Sequence, residues 1–203
     1  PLASIKLMNE TLKLRELDKE KQHKLIANSL SEIDRLENLV ENILIAAKIE
    51  NDQYGFTKED LNLSVICNQA FEYYKERKDI NLNASIQPEI YVEGDKTCMS
   101  SILSNLIDNA IKYAAQSDVN ITLTKEKNKV LLSIYDTGKG IPVEERSAIF
   151  NKFYRIGNEE TRQAKGTGLG LYIVKQLVHF QEGKISMEEN TPHGAVFNIS
   201  FTV

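Results

Sequence analysis

The chain of 203 residues has no tryptophan, two cysteines, three histidines and four prolines. Cys67 and Cys98 stand apart, without the paired spacing of a zinc site or redox motif, so both read as small buried apolar residues. No apolar run approaches the roughly 18 residues that a bilayer span needs, and nothing near the start has the form of a signal peptide. Positive charge is not in excess. With 25 Lys and Arg against 29 Asp and Glu, a net charge of -4 and no basic stripe interleaved with aromatics, nucleic acid is a poor partner and anionic lipid has no general attraction.

What is present is ordinary for a folded chain: 41% hydrophobic and 27% charged residues. The length suits one domain of about 150 residues with an appendage. Because the sequence starts at Pro1 rather than at methionine, the expectation is a piece cut from a longer protein.

Glycine is missing from Leu2 to Glu50, where the only proline is Pro1, so two long helices fit the stretch. In the second, Ile26, Ile33, Leu36, Val40, Ile43 and Ala47 alternate at three- and four-residue steps, interrupted by Ser29, which is a coiled-coil seam. Ile5, Met8 and Leu12 make a stripe on the first, and the polar run Asp18 to Lys24 is the expected connection. Such a hairpin is half a bundle. Dimerisation into four helices through residues 1–50 is the economical way to bury the seam, ahead of packing on the rest of the same chain.

The pattern changes near residue 52, giving expected domains over 1–50 and 51–203. A helix from Leu61 to Arg77, strands at Leu82–Ile86 and Glu89–Val92, and a helix from Thr97 to Ala115 come first. Alternation of Val119, Ile121 and Leu123, then Val130, Leu132 and Ile134, reads as a hairpin with one buried face. Ile185 and Met187, then Phe197, Ile199 and Phe201, repeat the signature. The expected architecture is an α+β sandwich, a sheet with helices on one face.

Chemistry collects in three short segments. Asn105, Asn109 and Lys112 share a helical face, with Asp108 at its edge. A polar face is most often merely solvated, but amide oxygens ligate hard cations such as magnesium and an ammonium meets phosphate. The strand ending at Tyr135 runs into Asp136-Thr137-Gly138-Lys139-Gly140-Ile141. A carboxylate there suits an amino group such as that of adenine, and the glycines admit a flat ring, although many tight turns look similar.

Gly166-Thr167-Gly168-Leu169-Gly170-Leu171 opens a helix over Tyr172–Phe180, whose N-terminal N–H groups and dipole favour phosphate. It lacks the lysine and hydroxyl of a phosphate loop and does not follow its strand as a dinucleotide fingerprint would. Between these segments, Ile149 to Arg155 is an apolar clamp and Asn158 to Lys165 a polar stretch, together readable as a lid or as an ordinary surface loop.

In order and spacing these pieces resemble the sensor histidine kinases, whose ATPase fold, the GHKL type, is shared with gyrase, Hsp90 and the mismatch-repair protein MutL. Asn105–Tyr113 is similar to the family's asparagine box, Asp136–Ile141 to its first glycine box, Phe150–Arg155 to its phenylalanine box and Gly166–Leu171 to its second glycine box. Gly94-Asp95 also fits.

The resemblance implies Asn109 on magnesium, Asp136 on the adenine amino group, Lys112 and Arg155 at the terminal phosphates, Asn105 on the phosphate side, and Tyr113 and Ile141 flanking the base or ribose. It implies Mg2+ and ATP as cofactors, and a response-regulator receiver domain as a partner. It also implies the cytoplasmic portion of a bacterial protein anchored in a membrane through parts of its parent outside this sequence.

Pro1-Leu2 is similar to the end of the family's His-Glu-Leu-Arg/Lys-Thr-Pro-Leu box. The phosphoacceptor histidine is then expected upstream of Pro1, so the piece would bind nucleotide without phosphorylating itself, and His23, His179 and His193 are not substitutes. His193-Gly194-Ala195-Val196-Phe197 departs from the third glycine box, where a hydroxyl residue follows glycine. Its absence removes a contact worth about 0.5–1.5 kcal/mol. The competing readings are a non-catalytic dimerisation and nucleotide-sensing module, and a serine kinase of the anti-sigma-factor kind, which does not need the long hairpin.

Overall fold

The computed structural model describes residues 2–15, 17–51, 55–76, 81–114, 118–157 and 166–203. They fall into two compact units, Pro1–Gln53 and Tyr54–Val203.

The first unit is a helical hairpin, α1 (Leu2–Leu14) packed on α2 (Lys19–Glu50). The connection is shorter than the polar run suggests. Asp18 caps α2 by accepting the Lys21 N–H at 2.8 Å, and Glu20 sits in the first turn, where a carboxylate favours the helix dipole, so Lys19–Lys24 is helical and His23 with it. Ile5, Met8 and Leu12 are half-buried, whereas Ile26, Ile33, Val40 and Ile43 along the expected seam are 46%, 38%, 53% and 48% exposed. One hairpin leaves that seam wet.

The second unit opens with β1 (Glu59–Asn62), α3 (Leu63–Lys75), β2 (Asn81–Ile86), β3 (Tyr91–Gly94) and α4 (Lys96–Ala114). It continues with β4 (Asp118–Glu126), β5 (Lys129–Asp136), two 3-10 turns, α5 (Gly170–Phe180), β6 (Lys184–Glu189) and β7 (Ala195–Thr202). The five-stranded sheet runs β2-β4-β5-β7-β6, with β2 parallel to β4 and the other pairs antiparallel. Period-two burial sets its register. Ile121 and Leu123 stand opposite Ile134 and Leu132, which face Phe197 and Ile199 in turn. That apolar face is covered by Ile102, Leu103, Leu106 and Ile107 of α4 and Ile173, Val174 and Leu177 of α5, all essentially buried. The architecture is the expected α+β sandwich.

Two element boundaries differ from the sequence pattern for local reasons. The helix expected from Leu61 starts at Leu63, because Asn62 caps it by accepting the Val65 N–H at 3.1 Å and Leu61 pairs with Val92 in a separate β1–β3 ribbon. The strand expected over Glu89–Val92 is shifted onward, since Glu89 takes a left-handed backbone, φ 55°, and cannot extend the ladder. Arg77 and Ala115 lie outside the described residues. No described helix is long and apolar enough to cross a membrane.

Asp95 ties three parts of this unit together. Its carboxylate accepts the Cys98 N–H at 2.9 Å, capping α4, and the Thr57 N–H at 3.0 Å. Its own N–H donates to Gln181 Oε1 at the end of α5 at 3.0 Å. Burial pushes the carboxyl pKa up, but the N–H bonds from Cys98, Thr57 and Thr97 together hold it below the ordinary value.

Candidate nucleotide site

The third to fifth turns of α4 carry Asn105, Asn109 and Lys112 toward the start of α5. A Cβ placed on Gly170 would lie 2.8 Å from Asn105 Oδ1 and 4.0 Å from Asn109 Nδ2, and one on Gly166 would lie 2.5 Å from Lys112 Nζ. Glycine is what permits that approach. Asn105 Nδ2 donates to the Ser101 carbonyl at 2.9 Å, which leaves its oxygen on the glycine side. Lys112 Nζ donates to Tyr113 Oη at 3.2 Å and sits 4.7 Å from that ring's centre.

The helix expected from Tyr172 begins earlier, at Gly170, and Leu169 ahead of it offers no side-chain cap. The N–H groups ahead of Ile173, whose own N–H donates to the Leu169 carbonyl at 2.9 Å, therefore start the helix without a side-chain cap, on an apolar helix whose Ile173, Val174 and Leu177 hold it to the core. Leu169 is buried, and its N–H donates to Thr167 Oγ1 at 3.2 Å. Thr167 and Leu171 are half-buried beside it. An anion is the ligand such an end accepts.

Asp136, at the end of β5, is 4% exposed. Its Oδ1 accepts the Gly138 N–H at 2.8 Å, and the Ala195 N–H also bonds the carboxylate. Burial dominates nonetheless and pushes the carboxyl pKa above its ordinary value. The turn lies directly on the end of α4: a Cβ on Gly138 would come within 2.5 Å of the Tyr113 carbonyl oxygen. Gly140 has φ +70°, and the half-buried Ile141 follows, its carbonyl taking the Arg146 Nε–H at 3.0 Å.

The phenylalanine segment is pinned to the glycine run. The Phe153 N–H donates to the Gly168 carbonyl at 2.9 Å, and Gly168, with φ +73°, approaches so closely that a Cβ would lie 2.6 Å from the Phe153 carbonyl carbon. Phe150 anchors the segment edge-on to Phe197, while Phe153 is 63% exposed. Arg155 is half-buried one residue beyond Tyr154. The polar stretch Asn158 to Lys165, read as part of a lid, lies outside the described residues.

Four separate segments are thus linked by close contacts near the end of β5, the central strand of the sheet. A separate cavity of about 460 Å3, lined in part by Lys58, Tyr91, Gln181 and Glu182, lies past the other end of α5 and shares none of them. Residues 94–203 match the family described as histidine kinase-, DNA gyrase B- and HSP90-like ATPases, and residues 1–52 match the His Kinase A (phospho-acceptor) domain. The chain belongs to the sensor histidine kinases.

Among relatives of this chain, RppB of Synechocystis sp. is 29% identical over 177 residues, 83% of this chain and 38% of RppB. WalK of Bacillus subtilis is 31% identical over 180 residues, 85% of this chain and 29% of WalK. The chain therefore spans about a third of the length of such relatives. Histidine kinase ThkA, solved in complex with the response regulator protein TrrA, superposes with a TM-score of 0.72 at 25% identity, over 98% of this chain and 57% of that one.

Two residues with no expected role at the site also touch it: Asn190, which the sequence did not single out, and His193, named only as no substitute for the phosphoacceptor and as the start of the segment compared with the third glycine box. Asn190 and His193, on the turn between β6 and β7, reach the backbone of the Asp136 turn. For Asn190 the sequence signal is that of a polar turn, Asn-Thr-Pro-His-Gly, which says nothing about what the turn packs against.

Proposed function

We propose that residues 51–203 bind ATP with magnesium, and that the parent kinase passes the γ-phosphoryl group to a histidine upstream of Pro1 and then to an aspartate on a response-regulator receiver domain. One observation carries the nucleotide reading. Gly166 and Gly170, at an uncapped helix N-terminus, let the backbone come closer to an ammonium, Lys112, and an amide oxygen, Asn105, than a side chain would allow. A phosphate chain needs that combination of donors and charge. The buried acceptor Asp136 stands on the other side of Tyr113, where an amino group of the base would find it.

The roles then follow from chemistry. Asn109 offers an amide oxygen to magnesium, whose charge offsets that of the phosphates. Lys112 and Arg155 meet the terminal phosphates, with Asn105 beside them. Gly166, Thr167, Gly168, Leu169, Gly170 and Leu171 present the backbone of the helix start. Gly138 and Gly140 let the ring approach, between Tyr113 and Ile141. Catalysis in this arrangement is positioning and charge neutralisation rather than covalent work by the protein.

Calorimetry tests the reading. The wild type is expected to bind ATP in the presence of magnesium, and Asn109→Ala to lose about tenfold in affinity, roughly 1.4 kcal/mol, with a smaller loss when magnesium is withheld. No binding by the wild type, or equal binding by the variant, would overturn it.

For residues 1–50 we propose homodimerisation into a four-helix bundle, supported by the exposed row Ile26, Ile33, Val40 and Ile43 and by the match to the phospho-acceptor domain. Sedimentation equilibrium is expected to return a dimer, weakened by Ile33→Lys. A wild-type monomer at micromolar concentration would end that proposal. The receiver-domain partner is supported by the ThkA–TrrA complex. Placement as the cytoplasmic portion of a membrane-anchored bacterial parent is supported by relatives that are bacterial sensor proteins longer than this chain.

A further inference from the structure

We propose that Asn190 and His193 are positioning residues that hold the Asp136–Gly140 turn where it reads the base, and so set adenine affinity; the inference rests on the ATP reading above.

The need for such residues comes from the sheet. On its β7 side the β5 ladder ends at the pair Tyr135↔Val196, one residue short of Asp136. On the β4 side the last backbone bond is from the Thr137 N–H to the Asp118 carbonyl, long at 3.3 Å. Residues 138–140 have left the ladder, yet a carboxylate and two glycines must stay in register with a rigid planar ring. A displacement of about 1 Å is enough to lose much of such an interaction.

The β6–β7 turn supplies the missing restraints. Asn190 Nδ2 donates to the Asp136 carbonyl at 2.8 Å, while its Oδ1 accepts the Thr191 N–H at 2.9 Å. Both ends of the amide have complementary partners, so its orientation is determined. The Asn190 N–H closes the turn onto the Gly194 carbonyl at 3.1 Å. His193 Nδ1 lies 3.2 Å from the Gly138 carbonyl oxygen, an acceptor, so Nδ1 carries the proton there.

Gly194 permits the approach. With φ +122°, it stands so near that a Cβ would lie 2.0 Å from the Asp136 carbonyl oxygen, and its own carbonyl would be 2.9 Å from a Cβ on Gly140. The next residue, Ala195, gives its N–H to the Asp136 carboxylate. One short turn therefore contacts Asp136 at both its backbone and its side chain, and also Gly138 and Gly140. None of these contacts reaches the phosphate side formed by Lys112 and Gly166–Gly170.

That separation defines the test. Calorimetry would compare ATP with inorganic tripolyphosphate, which has the phosphates and no base, for the wild type, Asn190→Asp, His193→Ala and His193→Gln. Asn190→Asp keeps size and the acceptor for Thr191 but places an oxygen against the Asp136 carbonyl. It and His193→Ala are each expected to weaken ATP about 5- to 10-fold, the loss of one part-buried hydrogen bond, with tripolyphosphate unchanged. His193→Gln, which can still donate to Gly138, should recover most of the affinity.

A role confined to stability would move both ligands together, and parallel losses would overturn the proposal. So would variants that bind ATP as tightly as the wild type, in which case the ATP reading itself would stand. A wild type that binds tripolyphosphate but gains nothing from adenosine would overturn both.

Discussion

Asp136→Asn is expected to weaken ATP binding by roughly 10- to 100-fold, about 1.4–2.8 kcal/mol, without unfolding the domain. The carboxylate already accepts N–H bonds from Gly138 and Ala195, and the adenine amino group would be a third donor. Two carboxylate oxygens have lone pairs for all three. A carboxamide has one acceptor oxygen, and its NH2 group would face donors. Because the residue is 4% exposed, water does not replace what is lost.

Asp136 also predicts a pH dependence with a definite sign. Its folded pKa is raised by burial, so between the ordinary carboxylate value of 3.8 and the raised native value the folded protein holds the proton more firmly than the unfolded chain. Ionisation as pH rises through that window therefore subtracts stability, and neutral-pH stability of Asp136→Asn should not fall by the full worth of a buried ion. Binding behaves in the opposite direction. ATP affinity should decline as pH drops through the raised value, since the protonated carboxyl loses an acceptor, and this component should be absent from the variant. Calorimetry as a pH series on both proteins separates it from titration of the phosphates, which is common to the two. Identical profiles would remove Asp136 from base recognition.

The second large effect is expected at Gly168. Alanine there must adopt φ +73°, and its Cβ would stand 2.6 Å from the carbonyl carbon of Phe153 and 2.8 Å from the carbonyl oxygen of Tyr154. Both are backbone atoms on a segment anchored by Phe150 against Phe197, so neither yields by a side-chain rotation. The strained backbone costs about 1–3 kcal/mol, and relieving it breaks the bond from the Phe153 N–H to the Gly168 carbonyl. Gly168→Ala should lower the thermal midpoint by several degrees, at roughly 2–4 °C per kcal/mol, and weaken ATP more than tenfold. Gly55, whose Cβ would meet nothing within 4 Å, is the control: Gly55→Ala should change neither. Equal behaviour of the two variants would show that the glycine run is not held as described.

Much of the fold was legible because burial has a period. Val119, Ile121 and Leu123 alternate because one face of β4 is covered, and Ile102 to Ala110 recur at helical spacing because α4 is what covers it. Helix starts were less legible, since a cap is one side chain making one bond: Asp18 and Asn62 each moved a boundary that hydrophobic spacing alone placed elsewhere.

The same division holds at the site. By itself the sequence determined which chemistry was available, because a carboxylate after a strand, two amides and a lysine on one helical face, and a glycine run before a helix are local patterns whose order is specific. Tertiary structure alone decided what each group stands beside. Only folding sets Lys112 against Gly166, Gly168 against Phe153, and Asn190, His193 and Gly194 behind Asp136. The reason is range: dihedral preferences and burial periods act over a few residues, whereas these contacts join parts of the chain brought together only by strand order and helix packing.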